Sequence, residues 1–111
     1  MKIIVIFLAC IIVIGIAALL FIQAKQKSTD TQQPIIKKAQ EIFEEKKKSG
    51  VLLGDGPCLS EELIPDWSFD IVHNPRQDID NQPENQCQYF REGKTHHFIE
   101  FDQQGRLIRM L

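Results

Sequence analysis

The sequence has few of the residues that mark metal sites or nucleic-acid-binding surfaces. It has three cysteines and no Cys-x-x-Cys pair, which weakens a zinc interpretation. Residues 51–111 contain eleven acidic and five basic side chains, a net charge of −6. This balance argues against nucleic acid or an anionic lipid surface as the main partner of that part. No internal repeat is present, and 111 residues are enough for one domain but not for two.

What the sequence does have is one long hydrophobic run near its start. Residues 3–22 include no charged side chain and no polar one apart from a cysteine. Twenty helical residues rise roughly 30 Å, the thickness of the hydrocarbon core of a bilayer. A core helix of a small globular protein would instead show a polar stripe. We therefore predict that residues 1–22 form a transmembrane signal-anchor and that the lipid bilayer is the partner of residues 3–22.

Two other interpretations of this run stay open. A cleaved signal peptide would explain the basic Lys2, and Ala24 would suit a cleavage site, but Ile22 does not. The apolar run is also longer than a cleaved signal usually has. A lipoprotein signal is suggested by Leu8-Ala9-Cys10, but the run continues for twelve residues beyond Cys10.

Charge does not decide which side of the membrane the rest of the chain faces. Lys2 and the terminal amine precede the run, and Lys25 and Lys27 follow it, so the positive-inside rule gives nearly a tie. Cysteine usage is more informative. Cys58 and Cys87 form an even pair in a soluble part of under 80 residues, a pattern typical of oxidising compartments. We predict an extracytoplasmic soluble domain.

The same two cysteines supply the strongest predicted constraint on the fold. A Cys58–Cys87 disulfide would close about 30 residues, including a long polar stretch, and would contribute about 3–4 kcal/mol in the chain-entropy model. Two alternatives are free buried thiols and a zinc site that also uses His73, His96 or His97. We predict the disulfide, no cofactor and no metal site.

The soluble part, residues 34–111, begins with an amphipathic helix. Residues 23–33 are polar and predict either a linker or a frayed extension of the preceding helix. Pro34 suits the first turn of a helix. Apolar residues then recur at spacings of three and four, which places them on one face: Ile35, Ile36, Ala39, Ile42 and Phe43. Lysines fill the last turn, and Gly50 offers a left-handed stop.

The remaining elements predict an α+β fold. Residues 59–64 suit a single helical turn opened by Ser60 and ended by Pro65. Strands are predicted at residues 67–72, 87–91, 95–101 and 106–111, separated by turn signals. The expected architecture is an N-terminal transmembrane helix followed by an amphipathic helix packed on a small antiparallel sheet of about four strands.

A long polar loop, residues 73–86, is the candidate binding element. Loops of this length in small domains are often functional. Its candidate site residues are His73, Arg76, Asp78, Asp80 and Glu84. We expect Arg76 to pair internally with a carboxylate such as Asp70 or Asp80, with contact to an anionic ligand as the alternative. The acidic residues have no calcium-loop spacing, so turn chemistry is favoured over a Ca²⁺ site.

The adjacent histidines His96 and His97 lie on a predicted strand. Neighbouring strand residues point to opposite faces, so the two imidazoles cannot chelate one metal ion from a regular strand. We expect one to face solvent and the other to lie against the sheet. A role in packing and hydrogen bonding is favoured over a catalytic base.

Several short pieces carry a resemblance to a family. They are Gly56-Pro57-Cys58-Leu59-Ser60, Asp66-Trp67, Asp70-Ile71, His73-Asn74-Pro75-Arg76, Asp80-Asn81, Pro83-Glu84-Asn85-Gln86-Cys87, Arg91-Glu92-Gly93, and His97-Phe98 with Glu100. Together they resemble an uncharacterised family of short membrane-anchored bacterial proteins, a likeness that implies no activity. The order of elements is also similar to type IV pilins and pseudopilins, but the Gly-Phe processing site and the Glu five residues after that Gly are missing.

These observations favour a binding or interaction module at the cell envelope that recognises its partner with the disulfide-held loop. One rival is a small envelope enzyme or metal-binding protein that uses His73, His96 or His97 with Asp70 or Glu100. Another is a structural subunit of an envelope assembly. Convergence of His73, His97 and an acid in a concave pocket, with a shifted pKa, would favour the enzyme. A loop that forms a convex surface bonded to itself would favour the binding module.

Overall fold

The computed structural model describes residues 1–23 and 31–111 with their side chains. The chain divides into two compact units, Met1–Pro34 and Ile35–Leu111. One helix, α1, spans Lys2–Lys48 and contributes to both units, so Pro34 lies inside a helix and not at the helix start that we predicted. The predicted linker, residues 23–33, falls within α1, and the side chains of residues 24–30 lie outside the described part of the chain. The predicted domain boundaries stay a prediction.

The first unit contains the hydrophobic run. Its segment Lys2–Gln23, 22 residues, is helical and is long and apolar enough to cross a membrane. The large apolar side chains are exposed throughout this helical segment. A helix that is apolar on every side and not enclosed by protein suits a hydrocarbon environment and not water.

In the second unit, the C-terminal part of α1 is amphipathic as predicted. Ile35, Ala39 and Phe43 are buried at spacings of four residues, so they form one stripe. The helix ends at Lys48, and Gly50, with a φ of 85°, lies in the turn that follows. The N–H group of Val51 donates back to the Lys46 carbonyl, which satisfies one of the unpaired groups at the helix end.

Four strands form one sheet in the order β1-β2-β3-β4. Their bounds are Cys58–Ile64 for β1, Trp67–Ile71 for β2, His97–Phe101 for β3 and Leu107–Met110 for β4. The α+β fold class with about four strands is therefore confirmed. The two outer pairings are antiparallel, but β2 and β3 are parallel, so the sheet is mixed. The connection over residues 72–96 is long enough for the crossover that a parallel pair requires.

Two element predictions were wrong in type. Residues 59–64 belong to a strand and not to a helical turn. Leu59 and Leu63 are four residues apart, a spacing that fits one face of a helix and one face of a strand equally well, and pairing with β2 selects the strand. The predicted strand at residues 87–91 is a short helix, α2, spanning Gln88–Arg91. Here Glu61 accepts a hydrogen bond of 2.8 Å from the Tyr89 N–H, which ties α2 to β1.

The hydrophobic core lies on one face of this sheet. Phe69 and Ile71 of β2 are fully buried, as are Ile99 and Phe101 of β3. These side chains form one cluster with Leu59 and Leu63 of β1 and with the apolar stripe of α1. The ring centroids of Phe43 and Phe101 are 6.3 Å apart, which joins helix to sheet. The opposite face of the sheet, which we call the outer face, is consequently free for other side chains.

Candidate functional site

The outer face of the sheet carries a small polar cavity. Because strand side chains alternate, Ser68 and Asp70 of β2 point away from the core, as do Phe98 and Glu100 of β3. The parallel register places Asp70 directly opposite Glu100. The cavity has a volume of about 100 Å³. Its lining is Ser68, Asp70, Arg76, Gln86, Cys87, Phe90, Phe98, Glu100 and Arg109.

Two arginines hold the Glu100 carboxylate. Arg109 of β4 donates from Nε to Oε2 at 2.9 Å and from Nη2 to Oε1 at 3.1 Å. Arg76 of the loop donates from Nη1 to Oε1 at 3.0 Å. The Arg109 guanidinium also lies 4.7 Å from the ring centroid of Phe98, within cation–π range. Glu100 is 3% exposed, so its carboxylate is desolvated. The side chains of Arg76 and Arg109 are 37% and 46% exposed and reach solvent.

Asp70 is the unusual member of this group. Its Oδ1 atom is buried and accepts no hydrogen bond from the residues that the structure describes. Burial, followed by repulsion from Glu100, raises the pKa of Asp70 to about 8 against the smaller opposing effect of the two arginines. Asp70 is therefore mostly protonated at neutral pH, and its carboxyl group then carries an O–H that is able to donate a hydrogen bond.

The loop over residues 73–86 is organised around Asp80, which is 2% exposed. Its carboxylate accepts from the Gln77 N–H at 2.8 Å and from the His73 N–H at 3.1 Å, and the His73 Nδ1 atom lies 2.9 Å away. Burial opposes ionisation, but the hydrogen bonds from Gln77 and His73 outweigh it and lower the pKa of Asp80. The loop is therefore bonded to itself through a buried carboxylate.

Two further contacts fix this loop. It consists of two 3₁₀ turns, Asp78–Asn81 and Pro83–Asn85, and the Asn85 amide donates to the Ile79 carbonyl at 3.1 Å. Gly56, with a φ of 70°, packs so closely that an added Cβ would lie 2.7 Å from the Asp80 Oδ1 atom. Only glycine fits that backbone conformation at that distance. Gly56, in the segment before β1, thus packs closely against Asp80 of the loop.

The predicted disulfide is confirmed. Cys58 and Cys87 are bonded, with Cα atoms 4.9 Å apart and a sequence separation of 29. The bond joins the start of β1 to the residue before α2 and closes the chain that contains the loop. Because both sulfur atoms are bonded to each other, neither offers a thiolate to a metal ion or for nucleophilic attack.

The structure places the predicted loop residues in different roles. His73 and Asp80 bond to each other, whereas Asp78 and Glu84 are exposed. Arg76 pairs internally with a carboxylate, as expected, but the partner is Glu100 and not Asp70 or Asp80, and the Arg76 side chain is 37% exposed. The reason is the parallel pairing of β2 with β3, which brings Glu100 within reach of Arg76. The predicted sheet was antiparallel and did not include this pairing.

The three histidines do not come together. His96 Nδ1 lies 2.6 Å from Asp66 Oδ1, and His97 Nε2 lies 3.6 Å from Asp66 Oδ2. Because β3 begins at His97, His96 lies before the strand, so the alternation of faces expected for two strand residues does not apply to this pair. The His97 ring also stacks on Trp67, with centroids 4.8 Å apart. His73 instead bonds to Asp80 in the loop.

Sequence reasoning missed five residues that line the cavity: Ser68, Gln86, Phe90, Phe98 and Arg109. The signal for Arg109 was its place between Ile108 and Met110 in a predicted strand, opposite a strand in which Glu100 lies between two large apolar residues. No comparable signal marks Gln86. Comparisons with known protein families, curated proteins and solved structures find no match for this chain. What the site can do is therefore argued from its geometry, which offers several hydrogen-bond donors around a small cavity.

Proposed function

We propose that this protein is a membrane-anchored, extracytoplasmic binding module that recognises its partner with the loop over residues 73–86. The exposed apolar helix of Lys2–Gln23 supports anchoring in a bilayer. The Cys58–Cys87 bond supports an oxidising compartment for the rest of the chain, since cytosolic thiols usually stay reduced.

The observation that carries the proposal is the self-bonded loop. Hydrogen bonds to buried Asp80 fix its conformation, and the disulfide closes it. Exposed charges are displayed on this fixed backbone: Arg76, Asp78 and Glu84. A loop that is already ordered loses little conformational entropy on binding, which favours recognition. Polar groups that served only to solvate the surface would need no such support.

An enzyme is less well supported by the same geometry. His73 is occupied by Asp80, and His97 lies with Asp66 at the beginning of β3. The convergence of His73, His97 and an acid that an enzymatic pocket would need is missing from the described residues.

Crosslinking of the full chain in its native membrane, followed by purification in detergent, tests the proposal. We expect a reproducible crosslinked partner that is lost in the double variant Asp78→Ala, Glu84→Ala. The matched control is Glu44→Ala, Glu45→Ala, which removes two exposed carboxylates from α1 and should leave the crosslink intact. Recovery of the same partner by wild type and loop variant would contradict a role for the loop.

The predicted side of the membrane is tested in the same cells. Alkylation before reduction should leave Cys58 and Cys87 unmodified, because they are oxidised. A protease added outside the cytoplasmic membrane should reach the soluble domain. Protection of the domain, together with alkylated Cys58 and Cys87, would place it in the cytoplasm and exclude the proposed orientation.

A further inference from the structure

The charges around the outer-face cavity do not balance. Arg76 and Arg109 both donate to one carboxylate, Glu100, and no second anion pairs with them among the described residues. Asp70 lies opposite Glu100 but accepts no hydrogen bond from either arginine. With Asp70 protonated, the group holds two positive charges and one negative charge. Both guanidinium groups are partly exposed, at 37% and 46%, so the excess positive charge beside this cavity attracts one further anion that approaches from solvent.

Among the described residues, the two arginines of this cavity also keep hydrogen-bond donors without an acceptor. Neither Nη2 of Arg76 nor Nη1 of Arg109 donates a hydrogen bond within the part of the chain that the structure describes. The Gln86 amide lines the cavity as well. Glu100, by contrast, already accepts three hydrogen bonds. Donors without acceptors, on two planar guanidinium groups, suit a carboxylate.

We propose that this cavity is a binding site for one small carboxylate group, held by Arg76 and Arg109 with the Asp70 carboxyl group and the Gln86 amide as further donors. The group can belong to a free short-chain acid or to a protein chain. This inference rests on the proposed function in one respect: Arg76 belongs to the loop that we regard as the recognition element.

The dimensions of the cavity set the size of the ligand. Its volume of about 100 Å³ is smaller than the ~150 Å³ of a protein cavity that admits benzene, so it accepts only a few non-hydrogen atoms. Phe90 and Phe98, with ring centroids 4.9 Å apart, offer an apolar wall for a short hydrocarbon part. The arginine side chains are 37% and 46% exposed, so the ligand enters from their side.

Binding at this site is coupled to the protonation of Asp70. The charged groups that act on Asp70 are Glu100 on β3, Arg109 on β4, and Arg76 and Asp80 in the loop. When Asp70 ionises, it supplies the missing negative charge itself, repels the ligand carboxylate and ceases to be a donor. Affinity is therefore highest below pH 8 and falls as the pH rises through the pKa of about 8.

Nuclear magnetic resonance titration of the purified full chain in detergent tests the site, with propionate as the probe and neutral propionamide as its control. We expect saturable shifts of the β2 and β3 amides and of the Arg76 and Arg109 side chains with propionate only. Affinity should fall about tenfold between pH 7 and pH 9, since the protonated fraction of Asp70 falls by that factor. Shifts that do not saturate, or that propionamide reproduces, overturn the proposal.

Three variants separate the roles of the residues. Arg76→Gln should weaken propionate binding at least fivefold, whereas Arg91→Gln removes a matched exposed charge from α2 and should leave it unchanged. Asp70→Asn keeps a donor and cannot ionise, so it should bind at pH 7 and lose the difference between pH 7 and pH 9. An unchanged pH dependence in Asp70→Asn, or equal effects of the two arginine variants in folded protein, contradicts the assignment.

A second titration distinguishes the sources of the carboxylate. A short peptide with a free terminal carboxylate is compared with its amide. Tighter binding of the acid form than of propionate assigns the site to a protein chain, and tighter binding of propionate assigns it to a free acid. Because purified protein and small probes are used, failure here leaves the crosslinking result intact, and loss of the crosslinked partner leaves propionate binding intact.

Discussion

The two faces of the central strands differ more than any other neighbouring parts of this domain. On the helix side, β2 and β3 contribute Phe69, Ile71, Ile99 and Phe101, all fully buried. On the outer side, the intervening residues of the same strands include Asp70 and Glu100, two carboxylates in direct register. One backbone therefore carries an apolar core and a charged cavity separated only by the thickness of the sheet.

The comparison shows what each face is built to do. The helix side is uniform in chemistry and closed by α1, as stability requires. The outer side is covered by the loop and α2 and leaves one buried carboxyl oxygen without a partner. Native domains leave few such groups, and those that remain need an explanation. Our proposal of a carboxylate-binding site at this cavity offers an explanation for this group.

The largest change in the free energy of unfolding is expected from a substitution on the helix side of the sheet. Phe69→Ala should lower the free energy of unfolding by about 3–5 kcal/mol, because it empties a fully buried ring site that contacts Phe101, with centroids 5.0 Å apart. Phe90→Ala on the outer side removes the same side chain from a position that is 39% exposed and should cost about 1 kcal/mol. Fluorescence of Trp67, the single tryptophan, reports denaturant unfolding of the full chain in detergent. Equal costs would deny that the two faces differ in packing.

Removal of the disulfide should have the next largest effect. The double variant Cys58→Ala, Cys87→Ala releases a closed loop with a sequence separation of 29 and should lower the free energy of unfolding by about 3–4 kcal/mol. The same unfolding experiment on wild type with and without reductant provides the comparison, and the variant should not respond to reductant. A variant as stable as oxidised wild type would show that the bond does not constrain the outer face.

How far the sequence predicts these faces depends on the type of signal. The stripe of Ile35, Ala39 and Phe43 repeats a strong helical period, and the prediction of a buried helix face is confirmed. The cysteine pair was also predicted correctly, since an even pair in a small domain has few alternatives. Both signals are local or compositional, so they do not depend on the arrangement of the strands.

The site was harder to predict because it depends on topology. Sequence reasoning identified the loop, but it expected every strand pair to be antiparallel, which separates Asp70 from Glu100. Only the crossover over residues 72–96 makes β2 and β3 parallel neighbours and brings Arg76 onto Glu100. Parallel pairing joins elements that are distant in sequence, and no period in a single strand reports it.

The smallest change in the free energy of unfolding is expected at Asp70, on the outer face. Its pKa is about 8 in the folded protein and near the usual 3.8 in the unfolded chain. Between these values the folded state holds a proton that the unfolded state has lost, so the contribution of Asp70 to stability falls as the pH rises from 4 to 8. The Asp70→Asn side chain cannot titrate, so the free energy of unfolding of this variant should exceed that of wild type by roughly 2 kcal/mol at pH 8. This difference is smaller than the full pKa shift would give, because the cavity opens to solvent.

The measurement that checks this is the free energy of unfolding of both proteins from pH 4 to pH 8. Asp80 and Asp102 have lowered pKa values, so their contributions are lost only below about 3.8 and do not enter this range. The difference between wild type and Asp70→Asn should therefore widen steadily with pH, while Asp78→Asn in the exposed part of the loop should follow wild type. A constant difference would mean that Asp70 is already ionised in the fold. Ionised Asp70 would then be the second anion for Arg76 and Arg109. The outer face would need no ligand to balance its charges.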